Sequence, residues 1–153
     1  MLQAPLTLWI MQEEQFRAHV YDDATGKPIG PGSTLIGHPT VGYGIALDVG
    51  AITEPEAAQL LANRLGTLAM VMRQRSWFGR LDAVRQDAII AMAYQMGPGG
   101  VDSFHGLIAA LQAGMWEAAA AGALASLWAR QTPARAMRVA TMLRTGLYPP
   151  ARA

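Results

Sequence analysis

The residues of this 153-residue chain that could do chemistry are concentrated between positions 14 and 44. A predicted helix carries Glu14 in its last part, the segment after it carries Asp23, and Thr40 precedes a glycine-rich turn at 42–44. Two carboxylates in different surroundings are the minimum set for hydrolysis of a glycosidic bond. One must donate a proton to the leaving oxygen, while the other stays ionised to activate water or to stabilise the transition state. The pattern therefore favours glycoside hydrolysis.

The helix end indicates which carboxylate takes which role. A carboxylate in the last helical turn faces the negative end of the helix dipole, which disfavours its anion and favours the protonated acid. Glu14 therefore suits the general acid, and Asp23, on the loop side where solvent and turn amides keep it charged, suits the ionised partner. On the residues alone, acids on a solvated surface remain the alternative interpretation.

The spacing of these residues resembles the phage-type lysozymes, the bacteriophage T4-type family of glycoside hydrolases. That family has a Glu, an Arg three residues later, a Tyr seven later, an Asp nine later, and then a Thr-Ile-Gly-x-Gly hairpin. This chain has Glu14, Arg17, Tyr21 and Asp23, followed by Thr-Val-Gly-Tyr-Gly at 40–44. The acids one residue earlier have the same separation, but the Arg and the Tyr fix the register.

The resemblance extends over about residues 5–147 and implies an α+β, mainly α, lysozyme-like fold of two lobes, a small β-hairpin lobe and a larger helical one. The segments that carry it further along the chain are 81–85, 94–97, 100–101, Phe104, 131–136 and 144–146.

The resemblance also implies roles for single residues. Glu14 would protonate the glycosidic oxygen, Asp23 would act as base or electrostatic partner, and Thr40 would position the attacking water through its hydroxyl. The substrate-binding residues it implies are Tyr94 and Gln95, which would line the sugar cleft, and Arg135, which would pack against Glu14 across the lobes. An Arg135 that makes only a structural ion pair and a Tyr94 that belongs to the core remain the alternatives.

The chain departs from the family pattern at four places. Gln15 replaces a usual Gly after the catalytic Glu, Ile45 replaces a His that anchors the hairpin, and Leu127 replaces a basic residue of some members. Sixteen residues, 24–39, separate Asp23 from Thr40 where the T4-type pattern has about five. His38 in this longer loop could contact the site or be an ordinary hydrogen-bonding surface residue. No His and acid pair has the spacing of metal ligands, so we expect no metal and no cofactor.

The elements that must position these residues form a single domain over 1–153. We expect an N-terminal helix over 1–18 that packs with the C-terminal lobe, a β-rich lobe over 19–52, an interlobe helix over 53–76 and a helical lobe over 77–153. The start of the interlobe helix is marked by a capping box, in which Thr53 and Glu56 lie three residues apart.

Helix boundaries in the C-terminal part follow from Gly, Pro and Ser positions. We expect a helix that stops at the glycines of 97–100, a helix capped by Ser103 that runs through Leu111, a helix over 116–128, and a last helix that begins at Thr132-Pro133 and ends near Gly146.

Composition limits the function classes. The chain has no cysteine, which excludes disulfides and thiol chemistry. Its net charge of +1 argues against a nucleic-acid binder, although residues 1–60 sum to −5 and residues 61–153 to +6. A mixed surface and a basic half that meets an anionic polymer are both compatible with that division. No predicted helix is apolar over the roughly 20 residues that a membrane span needs.

The sequence therefore predicts a glycoside hydrolase of the lysozyme type, a muramidase that acts on peptidoglycan as a monomeric phage or prophage endolysin. With no signal peptide at its start, we expect synthesis in the host cytoplasm and release to the periplasmic wall through a holin. The alternatives are a catalytically impaired peptidoglycan-binding module and a helical domain that acts in particle assembly. Neither alternative requires the Glu14, Asp23 and Thr40 set.

Overall fold

The computed structural model describes residues 4–150, and for Ala4 and Pro5 it describes the backbone only. The elements, in chain order, are α1 (Ala4–Glu14), β1 (Arg17–Asp22), β2 (Pro39–Gly42), β3 (Ile45–Ala46), α2 (Glu54–Met72), a 3₁₀ turn (Phe78–Arg80), α3 (Ala83–Asp102), α4 (His105–Gln112), α5 (Trp116–Leu124), α6 (Leu127–Gln131) and α7 (Pro133–Thr145). The chain divides into two compact units, residues 1–58 and 59–153. The predicted fold class, α+β and mainly helical with a small β-rich part, is confirmed.

The first unit contains a three-stranded antiparallel sheet in the order β1-β2-β3. Tyr21 on β1 lies opposite Thr40 on β2, and Thr40 in turn lies opposite Ala46 on β3. The register of β1 shifts between Arg17 and Tyr21, which is the signature of a bulge. The sheet therefore places Thr40 on its middle strand, directly beside the strand that leads into Asp22 and Asp23.

The helix α1 ends earlier than the sequence predicts. It stops at Glu14, and residues 17 and 18 of the expected 1–18 helix belong to β1 instead. The backbone reverses at Gln15, whose φ of +52° lies in the left-handed region. This is the position at which the resembling family has Gly, and Gly adopts that conformation without the steric cost that a Cβ imposes. The packing of this helix with the C-terminal lobe stays a prediction.

Replacing Gln15 by Gly should stabilise the protein by about 0.5–1 kcal/mol, because it removes the strain of a non-Gly residue at positive φ. Urea unfolding of the variant and the wild type measures this difference. Ala51, at φ +50°, provides a second such position, and Ala51→Gly should act in the same direction. A loss of stability at Gln15→Gly would contradict the expected strain.

The start of α2 confirms the predicted capping box. The Glu56 carboxylate accepts hydrogen bonds from the backbone N–H of Thr53 at 2.8 Å and from its hydroxyl at 2.7 Å, and the Thr53 hydroxyl accepts from the Glu56 N–H at 3.4 Å. Those bonds, the one from the Thr53 N–H foremost, lower the pKa of Glu56. The helix then ends at Met72, short of the predicted residue 76.

The second unit packs its helices around one apolar core. The fully buried side chains of this core include Met72, Phe78, Ile89, Met92, Val101, Leu107 and Leu143. The alanine-rich α5 buries Ala119, Ala120 and Ala123, whose small side chains allow α7 to approach closely. The predicted stop at the glycines of 97–100 is a kink at Gly97, where φ is +76°, after which α3 continues to Asp102. As predicted, α7 ends at Gly146.

Two predicted boundaries in this unit are wrong. Ser103 does not cap α4, because Phe104 precedes that helix and the Ser103 hydroxyl instead donates to the Gly100 carbonyl at 2.7 Å. The predicted helix over 116–128 is two helices, since Ser126 caps a new one by accepting from the Ala129 N–H at 3.0 Å.

Candidate active site in the first unit

The Glu14 carboxyl lies at the end of α1 against the hairpin turn between β2 and β3. A Cβ placed on Gly44 would stand 2.6 Å from Glu14 Oε2, and the φ of Gly44 is +72°. Both facts require glycine at this position, because a side chain would collide with the carboxyl and would strain the turn. The Gly-x-Gly turn thus positions Glu14, which is exposed.

Asp23 and Thr40 lie at the other end of this sheet. Asp23 is exposed, and its Oδ1 accepts a hydrogen bond from the His38 N–H at 2.7 Å. Thr40 is buried, and its hydroxyl donates to the His38 carbonyl at 3.2 Å. A Cβ on Gly37 would collide with Asp23 Oδ1, so this glycine lets the loop pass close to the carboxylate. The positions of Asp23 and Thr40 therefore both depend on the backbone of residues 37–40.

Arg17 and Tyr21, which fixed the register of the motif, have a structural role. The Arg17 guanidinium lies 4.2 Å from the centre of the Tyr21 ring and donates a hydrogen bond to the Gly26 carbonyl at 2.9 Å. A cation over an aromatic face is a favourable pairing. These contacts fix the turn that follows Asp23 to the strand that precedes it.

Asp22, next to Asp23, has a structural role that its position in the sequence did not reveal. It is only 4% exposed. Its Oδ2 accepts from the Ile36 N–H at 2.7 Å, and its Oδ1 accepts from the N–H groups of Ala24, Thr25 and Gly37 at 2.9, 3.3 and 3.1 Å. The Ile36 bond, followed by the others, lowers the pKa of Asp22 despite the opposing effect of burial. Asp22 therefore closes the long loop 24–36 beside Asp23, and its carboxylate is occupied by four backbone donors.

Replacing Asp22 by Asn should lower hydrolytic activity by about tenfold to a hundredfold, the scale expected when a neighbouring catalytic group is displaced. The amide can keep the three Oδ1 bonds, but its NH₂ would face the Ile36 N–H, donor against donor. Rates on purified peptidoglycan and amide hydrogen exchange of residues 24–37 measure the effect.

The pH dependence of loop stability provides a control for this variant. Because the pKa of Asp22 is lowered in the folded state, its contribution is present above the ordinary aspartate pKa and fades as pH falls through the lowered value. In the wild type, protection of the loop amides from hydrogen exchange should decrease as the pH falls through the lowered Asp22 pKa. In Asp22→Asn this decrease should be absent. Equal acid sensitivity of the loop in both proteins would contradict the role of the ionised Asp22 carboxylate in holding the loop.

The three predicted substrate-binding residues lie in the second unit. Tyr94 on α3 is 48% exposed, so it is not a core residue. Tyr94 and Arg135, in the first turn of α7, line the same mainly apolar cavity of about 700 Å³. Gln95 is exposed, and its Oε1 accepts a hydrogen bond from the Trp128 indole N–H at 2.9 Å. Among residues 4–150, Arg135 makes no ion pair, and its predicted contact with Glu14 stays a prediction.

Within residues 4–150 no group of three His, Cys, Asp or Glu side chains is placed to hold a metal ion. The same part of the chain contains no helix with the length and apolar character that crossing a bilayer demands.

Comparisons with known proteins identify the family of the chain. The model of the family described as phage lysozyme matches residues 11–141, a range that includes all six predicted site residues. The chain is also 34% identical, over 155 aligned positions, to the pre-baseplate central spike protein Gp5 of Enterobacteria phage T4. That alignment covers 90% of this chain but 27% of the relative. The resemblance seen in the Glu14–Gly44 motif is thereby confirmed, and the chain belongs to the phage lysozyme family.

Proposed function

We propose that this protein is a muramidase that hydrolyses the β-1,4 bond between N-acetylmuramic acid and N-acetylglucosamine in peptidoglycan. Membership of the phage lysozyme family supports a peptidoglycan hydrolase of the muramidase type. The observation that carries the finer proposal is the arrangement of the first unit, in which the Glu14 carboxyl is seated on the Gly44 turn while Asp23 and Thr40 share one backbone anchor.

Each of the three residues has a defined step in this proposal. Glu14 gives its proton to the glycosidic oxygen as the bond from that oxygen to the sugar C1 breaks. A water attacks C1, and Asp23 stabilises the positive charge that develops and takes the proton of the water. The resemblance favours inversion at C1, which requires the water to attack from the face opposite the leaving group.

Thr40 can orient that water only in one way. Its hydroxyl hydrogen is engaged with the His38 carbonyl, so its oxygen is left to accept a hydrogen bond. A water that donates to Thr40 turns an oxygen lone pair away from it, which is the geometry that a nucleophile needs.

The second unit is proposed to hold the glycan. Tyr94 offers an exposed aromatic face and Arg135 a cation to the same cavity, and Gln95 offers an amide beside Trp128. Residues 61–153 carry the excess of arginine, and such a charge favours the approach of an anionic wall polymer in a salt-sensitive way.

Identification of the reducing ends released from purified peptidoglycan tests the proposal. A muramidase releases fragments that end in reducing N-acetylmuramic acid, and we expect these ends to accumulate with time. Fragments that end in N-acetylglucosamine would place the cut at the other glycosidic bond and contradict the proposal. Binding to the polymer without any new end would favour the peptidoglycan-binding module instead. The anomer formed first reports inversion or retention.

The biological setting has two candidates. We propose an endolysin, made in the host cytoplasm and released to the wall through a holin. The relatedness to a central spike protein favours a second candidate, a lysozyme that travels with the phage particle. Lysis that starts only when a holin is co-expressed supports the endolysin. Detection of this chain in purified particles supports the second candidate.

A further inference from the structure

The backbone of a single residue, His38, connects two of the residues proposed to be catalytic. The His38 carbonyl accepts hydrogen bonds from the Asp23 N–H at 3.1 Å and from the Thr40 hydroxyl at 3.2 Å. The His38 N–H donates to Asp23 Oδ1 at 2.7 Å. A displacement of the His38 backbone would therefore move Asp23 and Thr40 together.

The His38 side chain holds this backbone through a second contact, with Asp48. Its Nδ1 lies 3.1 and 3.0 Å from the two carboxylate oxygens of Asp48, in the segment that follows β3. That segment is itself attached to β2, because the Leu47 N–H donates to the Pro39 carbonyl at 2.8 Å. The imidazole thus connects the loop that precedes β2 to the turn after β3.

We infer that His38 is a positioning residue, whose ion pair with Asp48 holds Asp23 and Thr40 in their catalytic arrangement and makes that arrangement depend on the charge of the imidazole. This inference rests on the proposed function of Asp23 and Thr40. His38 belongs to the long loop between Asp23 and Thr40.

The charged groups that face His38 act in one direction. The hydrogen bond with Asp48 and the charge of that carboxylate raise the pKa of His38, and Asp23 and Asp22 at the end of β1 add to the rise. In return, the hydrogen bond from His38 lowers the pKa of Asp48. The ion pair is therefore present below the raised His38 pKa and is lost as pH increases through it.

Replacing His38 by Asn separates the hydrogen bond from the charge. The Asn amide can donate to Asp48 from a position close to that of Nδ1 but stays neutral at every pH. We expect kcat of the variant to be about tenfold below that of the wild type while His38 is protonated, with little change in KM. Above the His38 pKa the ratio of the two kcat values should approach one. A ratio that is flat with pH overturns the inference.

Two variants complete the test. His19, exposed on β1, provides the matched control, and His19→Asn should leave the kcat ratio near one at all pH values. Asp48→Asn removes the largest cause of the raised pKa, so the NMR titration of the His38 imidazole should move to lower pH. An unmoved titration in that variant overturns the ion pair.

NMR also separates this inference from the proposed function. In the wild type, the amide resonances of Asp23 and Thr40 should titrate with the midpoint of the His38 imidazole, whether or not the protein cleaves peptidoglycan. If they titrate and no cleavage occurs, the proposed function fails and the coupling stands. If they do not, His38 does not position these residues.

Discussion

Replacing Glu14 by Gln is expected to lower the rate of peptidoglycan hydrolysis by about a thousandfold, within the range of general acid catalysis. Gln has nearly the same shape as Glu, so it can still occupy the space beside Gly44. It cannot give a proton to the glycosidic oxygen, and a poor leaving group then remains attached to the sugar. Release of reducing ends from purified peptidoglycan measures the rate, and sedimentation with the polymer measures binding, which should be retained.

Glu13 provides the matched control for this experiment. It precedes Glu14 in α1, is also exposed, and has the same spacing from Asp22 that Glu14 has from Asp23. Glu13→Gln should leave hydrolysis within about twofold of the wild type, because surface substitutions away from the site have small effects. If Glu13→Gln inactivates and Glu14→Gln does not, the register is wrong by one residue. If both variants cleave at the wild-type rate, the assignment of the acid is wrong.

The residues of the candidate site could be selected from the sequence because their spacing is local. Glu14, Arg17, Tyr21 and Asp23 lie within ten consecutive residues, and the Thr-Val-Gly-Tyr-Gly turn is continuous. The hydrogen bonding of the Asp22 carboxylate to four backbone N–H groups could not be predicted in this way. Two of its four hydrogen-bond donors, Ile36 and Gly37, lie 14 and 15 residues further on, at the end of a loop whose path no periodic pattern encodes.

The same distinction separates the helix boundaries that were predicted well from those that were not. The Thr53 capping box and the end of α7 at Gly146 depend on residues within one turn of the boundary. Ser103 and Ser126 are both suitable caps by type, but each hydroxyl has backbone groups on either side to choose from. Both hydroxyls donate to a carbonyl three residues earlier, Ser103 to Gly100 and Ser126 to Ala123, but only Ser126 also accepts from an N–H of the following helix.

Arg85 is the clearest case of a residue whose importance only the structure reveals. It is 9% exposed. Its Nε donates to the Leu143 carbonyl at 2.8 Å, its Nη2 donates to the Arg144 carbonyl at 3.1 Å, and its Nη1 pairs with Asp82. The guanidinium carbon lies 4.0 Å from the centre of the Trp116 ring. One side chain of α3 thereby binds the last turn of α7 and the first residue of α5.

Replacing Arg85 by Ala should destabilise the second unit by about 3–5 kcal/mol. The loss combines two effects. The carbonyls at the end of α7 lose donors that no other residue of the helix can supply, and the Trp116 ring loses the cation packed on its face. Urea unfolding monitored by tryptophan fluorescence and by circular dichroism measures the free energy, with an unchanged slope expected if the unfolded state is unaffected.

Two variants determine whether the geometry of the guanidinium or only its charge is responsible. Arg85→Lys keeps the charge but cannot reach two carbonyls and Asp82 at once, since it lacks the planar fork, so it should recover less than half of the loss. Arg80→Ala removes an exposed arginine from the neighbouring 3₁₀ turn and should change stability by no more than about 0.5 kcal/mol. Full recovery by Lys would mean that charge alone matters. A loss at Arg85→Ala as small as that at Arg80→Ala would show that α3, α5 and α7 hold together by their apolar core without this contact.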